Sequence, residues 1–367
     1  MSSNTTPQIR VGFTGESIAP RLEIQYTEGE FELILRDSVA RSNKFYQLVQ
    51  LLQGSGSLHH QAMIEGEAVP YLQQVLNIIP NRAAFALKYY LAPKLKTLLH
   101  WLITSKELDN YTYDNDATNL QYWASSLSLV LPCSPTQVLS YLQEPIKDEE
   151  LRQAIIAVYD SQPTKPMRDR FPKFGRRLAW YACARALKPK LLIETGVHQG
   201  LGSILLCAAL KRNREEGYPG VYMGTDIDPG AGSLLVTPYN QYGKVHYGDS
   251  IETLKMVNQP IDLFINDSDH SADYEAREYA TIATKLSEQS VILGDNSHVT
   301  DKLMQFAWET QRNFLFLNEK PENHWYPGAG VGVAWSDSTK IPIKSKADLQ
   351  TDSLSSASVP DSGKCVF

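Results

Sequence analysis

The chain has little cysteine, and none of it is paired in sequence. Cys133, Cys183, Cys207 and Cys365 lie far apart in 367 residues, with no C-x-x-C spacing. That excludes a disulfide framework and the usual zinc and dithiol motifs, and it predicts reduced thiols in a cytoplasmic protein. Long apolar runs are missing too. The most apolar helical stretch, 83–103, is interrupted by Lys88, Pro93, Lys94 and Lys96, so no membrane span is expected. Residues 1–10 are polar with no apolar run behind them and give no export signal to read. Positive charge is not in excess. The 35 Lys and Arg residues stand against 41 Asp and Glu, and a net charge of −6 argues against nucleic acid as a partner. What is present is a hydrophobic fraction of 43%, enough for a sizeable core, and length enough for two domains.

The hydrophobic pattern changes along the chain. Residues 21–37 alternate apolar and polar around Glu28-Gly29-Glu30, as a β-hairpin does. Ser42 can cap a helix carrying Phe45, Leu48, Val49, Leu51 and Leu52 that stops at Gly54. Helical patterning follows at 68–79, 82–103, 117–131, 135–142 and 148–159. Residues 1–160 therefore read as a mainly helical N-terminal domain, its first ten residues unordered, and the Pro-, Lys- and Arg-rich 161–173 as a linker. From 174 to 336 apolar strands (190–194, 220–226, 245–247, 261–266, 290–294, 313–318, 330–335) alternate with helices (174–186, 203–212, 272–287, 300–310). Such alternation predicts an α/β fold, a doubly wound and mostly parallel seven-stranded sheet. Residues 337–367 have no apolar period and read as a disordered tail.

The most informative stretch is Leu191-Leu192-Ile193-Glu194-Thr195-Gly196-Val197-His198-Gln199-Gly200-Leu201-Gly202-Ser203. A strand feeding a glycine turn and a helix builds a nucleotide-type pocket at the carboxyl end of a parallel sheet. Glycines let the backbone approach a ligand, and the helix N-terminus offers unpaired N–H groups. The spacing is neither G-x-G-x-x-G nor a P-loop. An acid on the turn suits a ligand with a cationic end, such as S-adenosylmethionine. Asp226, at the end of the next strand, can accept ribose hydroxyls; alone it would read as a loop acid or a cap. Asp249 and Ser250 can reach an adenine edge or simply cap the helix behind them. Asp267 and His270 follow the fourth strand, and Asp295 and Asn296 follow the fifth. Asp267, Asp295 and Asn296 form an oxygen-rich set that suits Mg²⁺. His270 is a candidate base.

These residues resemble the first motif of class I S-adenosylmethionine-dependent methyltransferases, with His198 in place of the usual middle glycine. The chain is similar in this to the metal-dependent catechol and caffeoyl-CoA O-methyltransferases, and its Asp267-Ser268-Asp269-His270 resembles bacterial small-molecule methyltransferases with a D-x-D-H segment. The resemblance spans about 174–336. It implies a Rossmann-like fold, with Glu194, Gly196, His198, Gly200, Ser203, Asp226, Asp249, Ser250 and Asp267 on the cofactor. It further implies Asp267, Asp295 and Asn296 on a divalent cation, and His270 where those enzymes carry a catalytic lysine. His298 and His324 have weaker claims, and the run 324–328 can form a lid. His59 and His60 read as surface residues, Trp101 and Tyr122 as core. The basic run Lys165, Arg168, Arg170, Lys173, Arg176, Arg177 can meet an anionic substrate or carrier.

The N-terminal hairpin and its L-L-x-G helix resemble leader-peptide recognition modules, which bind peptides by strand addition. A helical cap that covers the substrate or pairs two copies in a homodimer is the plainer expectation. Three functions follow: divalent-metal-assisted O-methylation of a small specialised metabolite, methylation of a peptide or carrier-bound intermediate recruited by the N-terminal domain, or non-catalytic S-adenosylmethionine binding.

Overall fold

The computed structural model describes the backbone of residues 8–13, 20–26 and 29–34, and residues 81–107, 112–161, 169 and 171–336 in full. The helices expected at 45–52 and 68–79, His59 and His60, Lys165, Arg168, Arg170 and the tail lie outside the described residues. The chain divides into two compact units, the first Met1–Lys96 and the second beginning at Thr97.

The first unit holds three antiparallel strands, β1 (Gln8–Phe13), β2 (Pro20–Tyr26) and β3 (Gly29–Ile34), in the order β1-β2-β3. β2 and β3 are the expected hairpin. β1 corrects the expectation that the first ten residues are unordered, since Gln8 pairs with Gln25 and Ile9 with Ile24. The helix expected at 82–103 is found. A π-helical stretch, Leu87–Leu91, leads into α1 (Ala92–Thr104).

The second unit opens with the end of α1 and then α2 (Ala117–Leu127), α3 (Pro135–Lys147), α4 (Glu149–Ser161) and α5 (Arg177–Leu187). Asp116 caps α2 through the Asn119 N–H, and Ser134 with Pro135 starts α3. The α/β part runs β4 (Leu191–Thr195), α6 (Leu201–Glu215), β5 (Val221–Asp226), β6 (Gly243–Tyr247), α7 (Ser250–Lys255), β7 (Ile261–Asn266), α8 (Ala272–Ile282), β8 (Leu286–Gly294), α9 (Lys302–Glu309), β9 (Asn313–Asn318) and β10 (Gly330–Trp335). The seven strands lie in the order β6-β5-β4-β7-β8-β10-β9. All pairs are parallel except those of β10, which runs antiparallel to both neighbours.

The period-2 alternation of strands divides the core into two faces. Leu192, Leu263, Ile265, Val291 and Leu293 pack on one side with α5 and α6, while Ile193, Phe264 and Ile292 pack on the other with α7, α8 and α9. The first face also takes Leu120, Trp123, Leu127, Val138, Leu142, Leu151 and Ile155 of α2–α4. These helices, expected in a separate N-terminal domain, share one core with the sheet. α5 is accordingly buried nearly all round, and its Ala179, Ala182, Ala184 and Ala186 let it pack closely. Trp123 Nε1 and Asn119 Nδ2 both donate to the Asn318 carbonyl at 2.9 Å, tying α2 to β9.

Two expectations are corrected. The helix expected to run to 287 ends at Ile282, because Leu286 already pairs with Ile261 in the sheet. Tyr122 is 67% exposed rather than core, since the buried stripe of α2 runs through Leu120, Trp123, Ala124 and Leu127.

Candidate active site

The carboxyl ends of β4, β5, β6 and β7 open on one cavity of about 600 Å³. Strand ends gather there because the order reverses beside β4, leaving a crevice between diverging connections. Gly196, His198, Asp226, Asp249, Ser250, Asp267 and His270 line it, together with Arg176, Arg177, Thr225, Ile227, Asp228, Gly248, Ser268, Asp269 and Tyr274.

The turn after β4 is backbone-determined. Gly196 has φ +81, and a Cβ there would overlap the Asp267 carbonyl. His198 stands where the resemblance expects glycine, yet keeps the left-handed conformation at φ 50. Histidine tolerates that region better than branched side chains do. Asp226 fixes the turn: one carboxylate oxygen accepts the N–H groups of Val197 (2.9 Å) and His198 (2.8 Å), and the other accepts that of Asp228 (2.8 Å). A carboxylate has about four acceptor sites, so one remains for a ligand hydroxyl.

Glu194, Gly200 and Ser203 do not line the cavity. Glu194 is buried beneath the turn, where it accepts from Ser203 Oγ (2.7 Å) and from the Tyr222 hydroxyl. Burial pushes its carboxyl up to about 7. Gly200, at φ +90, starts α6 against the backbone of Gly232.

Asp249 and Ser250 do both things expected of them. Asp249 caps α7 through the N–H groups of Ile251 and Glu252, and both residues line the cavity. Ser250 Oγ also meets the Tyr274 hydroxyl (2.8 Å) and Glu278. Tyr274 and Glu278 were not anticipated, although their i, i+4 spacing puts them on one face of α8. Glu278 is fully buried and accepts from Thr195 Oγ1 (3.1 Å), Ser268 Oγ (2.8 Å), Ser250 and Asn266, and burial raises its carboxyl to about 7.

The acids expected to bind metal have other partners. Asp295 is fully buried and forms an ion pair with Arg176 Nε. Its second oxygen has no partner other than the Asp267 carboxyl beside it among the described residues. Asp267 is pushed well above the usual carboxylate range by burial and by the charge of Asp295. Burial would raise Asp295 as well, but the Arg176 charge and the Asp267 carboxyl outweigh it and hold it low. The two carboxyls thus shift in opposite directions, and the charge of Asp295 is met by a guanidinium. Asn296, also buried, receives His270 Nδ1 on its Oδ1, and its Nδ2 reaches toward the Asp269 carbonyl at 3.5 Å. Among the described residues no three His, Cys, Asp or Glu side chains come together as a metal-holding group. With Asp295 paired to Arg176 and the Asn296 oxygen to His270, the set Asp267, Asp295 and Asn296 does not fit a divalent cation in this arrangement.

Because the Asn296 oxygen can only accept, the His270 nitrogen facing it, Nδ1, is the donor of this bond, and Nε2 is the nitrogen not engaged by Asn296. A general base at this position would accept its proton on Nε2. His298 Nδ1 lies 3.1 Å from the Asp295 carbonyl. His324 belongs to an aromatic cluster with Trp101, Tyr113 and Trp325, and burial lowers its imidazole to about 4, so it stays neutral at working pH.

Residues 193–297 match a family model described as a methyltransferase domain. Among curated proteins none matches the chain. Solved structures that overlap it include a methyltransferase from Podospora anserina with S-adenosylhomocysteine bound (17% identity, 55% of this chain and 95% of that one, TM-score 0.36). Others are an O-methyltransferase of tomaymycin synthesis from Streptomyces achromogenes in complex with S-adenosylmethionine (14%, 59% and 96%, TM-score 0.36) and a methyltransferase from Geobacter sulfurreducens (15%, 55% and 98%, TM-score 0.38). The stretch that matches a methyltransferase domain, residues 193–297, takes in the glycine turn after β4 and the strand ends of the β6-β5-β4-β7-β8-β10-β9 sheet that form the crevice.

Proposed function

We propose that the protein transfers a methyl group from S-adenosylmethionine to an oxygen of a small specialised metabolite. The observation that carries this reading is His270 in the lining of the cavity, oriented by the bond between its Nδ1 and the Asn296 side-chain oxygen. Asp226 would take a ribose hydroxyl, Ile227 the face of the adenine, and Asp249 and Ser250 its edge. Gly196 allows the methionine part close to the backbone, and Asp267 would meet its ammonium group. The acceptor oxygen attacks the methyl carbon in line as the carbon–sulfur bond breaks. The bonding pair returns to sulfur and neutralises the sulfonium, and the acceptor's proton goes to His270 Nε2. Positioning and exclusion of water supply most of the acceleration, because the methyl group is already electrophilic. Magnesium has no part in this reading, since Arg176 and His270 already engage Asp295 and Asn296. The free cysteines Cys133, Cys183 and Cys207 support a cytoplasmic location.

Calorimetric titration with S-adenosylmethionine tests the reading. Wild type and His270→Ala should bind alike, Asp226→Ala should lose binding, and only His270→Ala should keep binding while losing transfer. No binding of the cofactor or its demethylated product to wild type would sink it.

The β1-β2-β3 sheet supports a second reading, methylation of a peptide. β1 and β3 each pair on one side only among the described residues, and an extended peptide can add to such an edge. Under this reading the full chain binds pathway-derived peptides, and changes in β3 abolish that binding.

A further inference from the structure

The acids expected to hold a metal have a cation of their own chain beside them, and that cation is unusually well fixed. Arg176 Nε donates to Asp295, and Arg176 Nη1 donates to the Tyr113 hydroxyl at 3.2 Å. Tyr113 in turn donates to Glu319 Oε2 at 2.9 Å, and the same oxygen accepts the Ala329 N–H at 3.1 Å. The backbone leading to Arg176 is clamped to the same tyrosine. The Gly175 N–H donates to the Tyr113 carbonyl at 2.8 Å. Gly175 has φ +48, and a Cβ there would meet the Tyr113 ring at 2.8 Å. Three segments, the loop before α2, the start of α5 and the end of β8, therefore set the position of one guanidinium. It is mostly buried, with a side-chain exposure of 18% against 0% for Asp295.

A guanidinium carries more N–H donors than these two bonds use, and Arg176 also lines the cavity. It pairs with Asp295, and Asp267 lines the same cavity as the guanidinium. A divalent ion placed against the same two acids would sit beside a fixed positive charge, where Coulomb repulsion opposes it. Arginine suits this position better than lysine, because its planar fork stays charged when buried.

We infer that Arg176 is the resident cation of the active site, and that it masks a cation-binding site formed by Asp267 and Asp295. An acceptor oxygen that has lost its proton then meets positive charge in the cavity without a metal; this last consequence rests on the methyl-transfer reading.

The test is titration of the full chain with Mn²⁺ alone, followed by electron paramagnetic resonance. Wild type should show no saturable binding. Arg176→Ala should bind Mn²⁺ at least about tenfold more tightly, and adding Asp295→Asn should remove that gain. Arg176→Gln, which keeps donors for Asp295 and Tyr113, replaces Arg176→Ala if the latter does not fold. Saturable Mn²⁺ binding by wild type that Asp295→Asn abolishes would overturn the inference. So would a folded Arg176→Ala or Arg176→Gln protein that gains no binding. The same samples are titrated with S-adenosylmethionine. Failure of wild type to bind the cofactor would end the methyl-transfer reading and leave the Mn²⁺ result standing.

Discussion

The two halves of the crevice are built by different means. On the β4–β5–β6 side, acids are held by backbone. Asp226 closes on three N–H groups, Asp249 caps a helix, and Gly196 and His198 hold left-handed conformations. On the β7–β8 side, side chains hold one another. Asp295 pairs with Arg176, Arg176 with Tyr113, Tyr113 with Glu319, and Asn296 with His270. The first half offers a fixed shape for a ligand that does not vary. The second is a charge network in which each side chain is held by the next.

The largest effect expected from breaking this contrast is on the backbone side. Gly196→Ala forces the chain off a Cβ overlap with the Asp267 carbonyl, and a folded protein with measurable cofactor affinity should not be recovered. Any loss above about 4 kcal/mol in denaturant unfolding fits that mechanism. On the network side, Asp295→Asn leaves Arg176 buried without its anionic partner and should cost about 3–5 kcal/mol of stability, read by thermal unfolding. A loss of less than about 1 kcal/mol would mean that the ion pair is solvated. His270→Ala should leave stability and cofactor binding near wild type and lower kcat by roughly 10²–10⁴. Asn296→Leu should lower kcat less, because it removes only the bond that orients the ring. Comparable losses of cofactor affinity in the two variants would argue that both residues are structural.

The smallest effect sharpens the comparison through pH. Glu194 is buried under the backbone side with its carboxyl raised from 4.5 to about 7. Between these values the folded chain holds a proton that the unfolded chain has lost, so stability falls as pH rises. The contribution is fully present below pH 4.5 and is gone once the pH passes about 7. It is on the order of 3 kcal/mol, from the size of the shift. Glu194→Gln cannot ionise and should flatten the fall in melting temperature across that range. An unchanged slope would mean that the carboxyl is not raised.

Much of the α/β half was legible in the sequence because its strands are short apolar runs bounded by turn residues. All seven were placed there, with β6 and β8 longer at their N-terminal ends than expected. What pattern alone did not reveal is tertiary. The helices of α2–α4 are amphipathic in the ordinary way, and nothing in their periodicity says that their apolar stripe meets a sheet formed by strands far along the chain. Of the site, the turn glycines and the strand-end acids were legible, since their chemistry follows from position on the topology. The partner of each acid was not. Arg176 read as one member of a basic run, and only its ion pair with a residue more than a hundred positions away gives it a distinct place. Tyr274 and Glu278 had a helical spacing that pointed to a common face, but no signal for what that face meets.

Glu278 has a further consequence. One carboxyl group joins Thr195 at the end of β4, Ser250 at the start of α7, and Asn266 and Ser268 at the end of β7. These segments are distant along the chain, yet none can rupture its bond without disturbing the others' anchor. Amide hydrogens across the floor of the crevice should therefore exchange with solvent in one concerted opening rather than segment by segment, and cofactor binding should slow them all by a common factor.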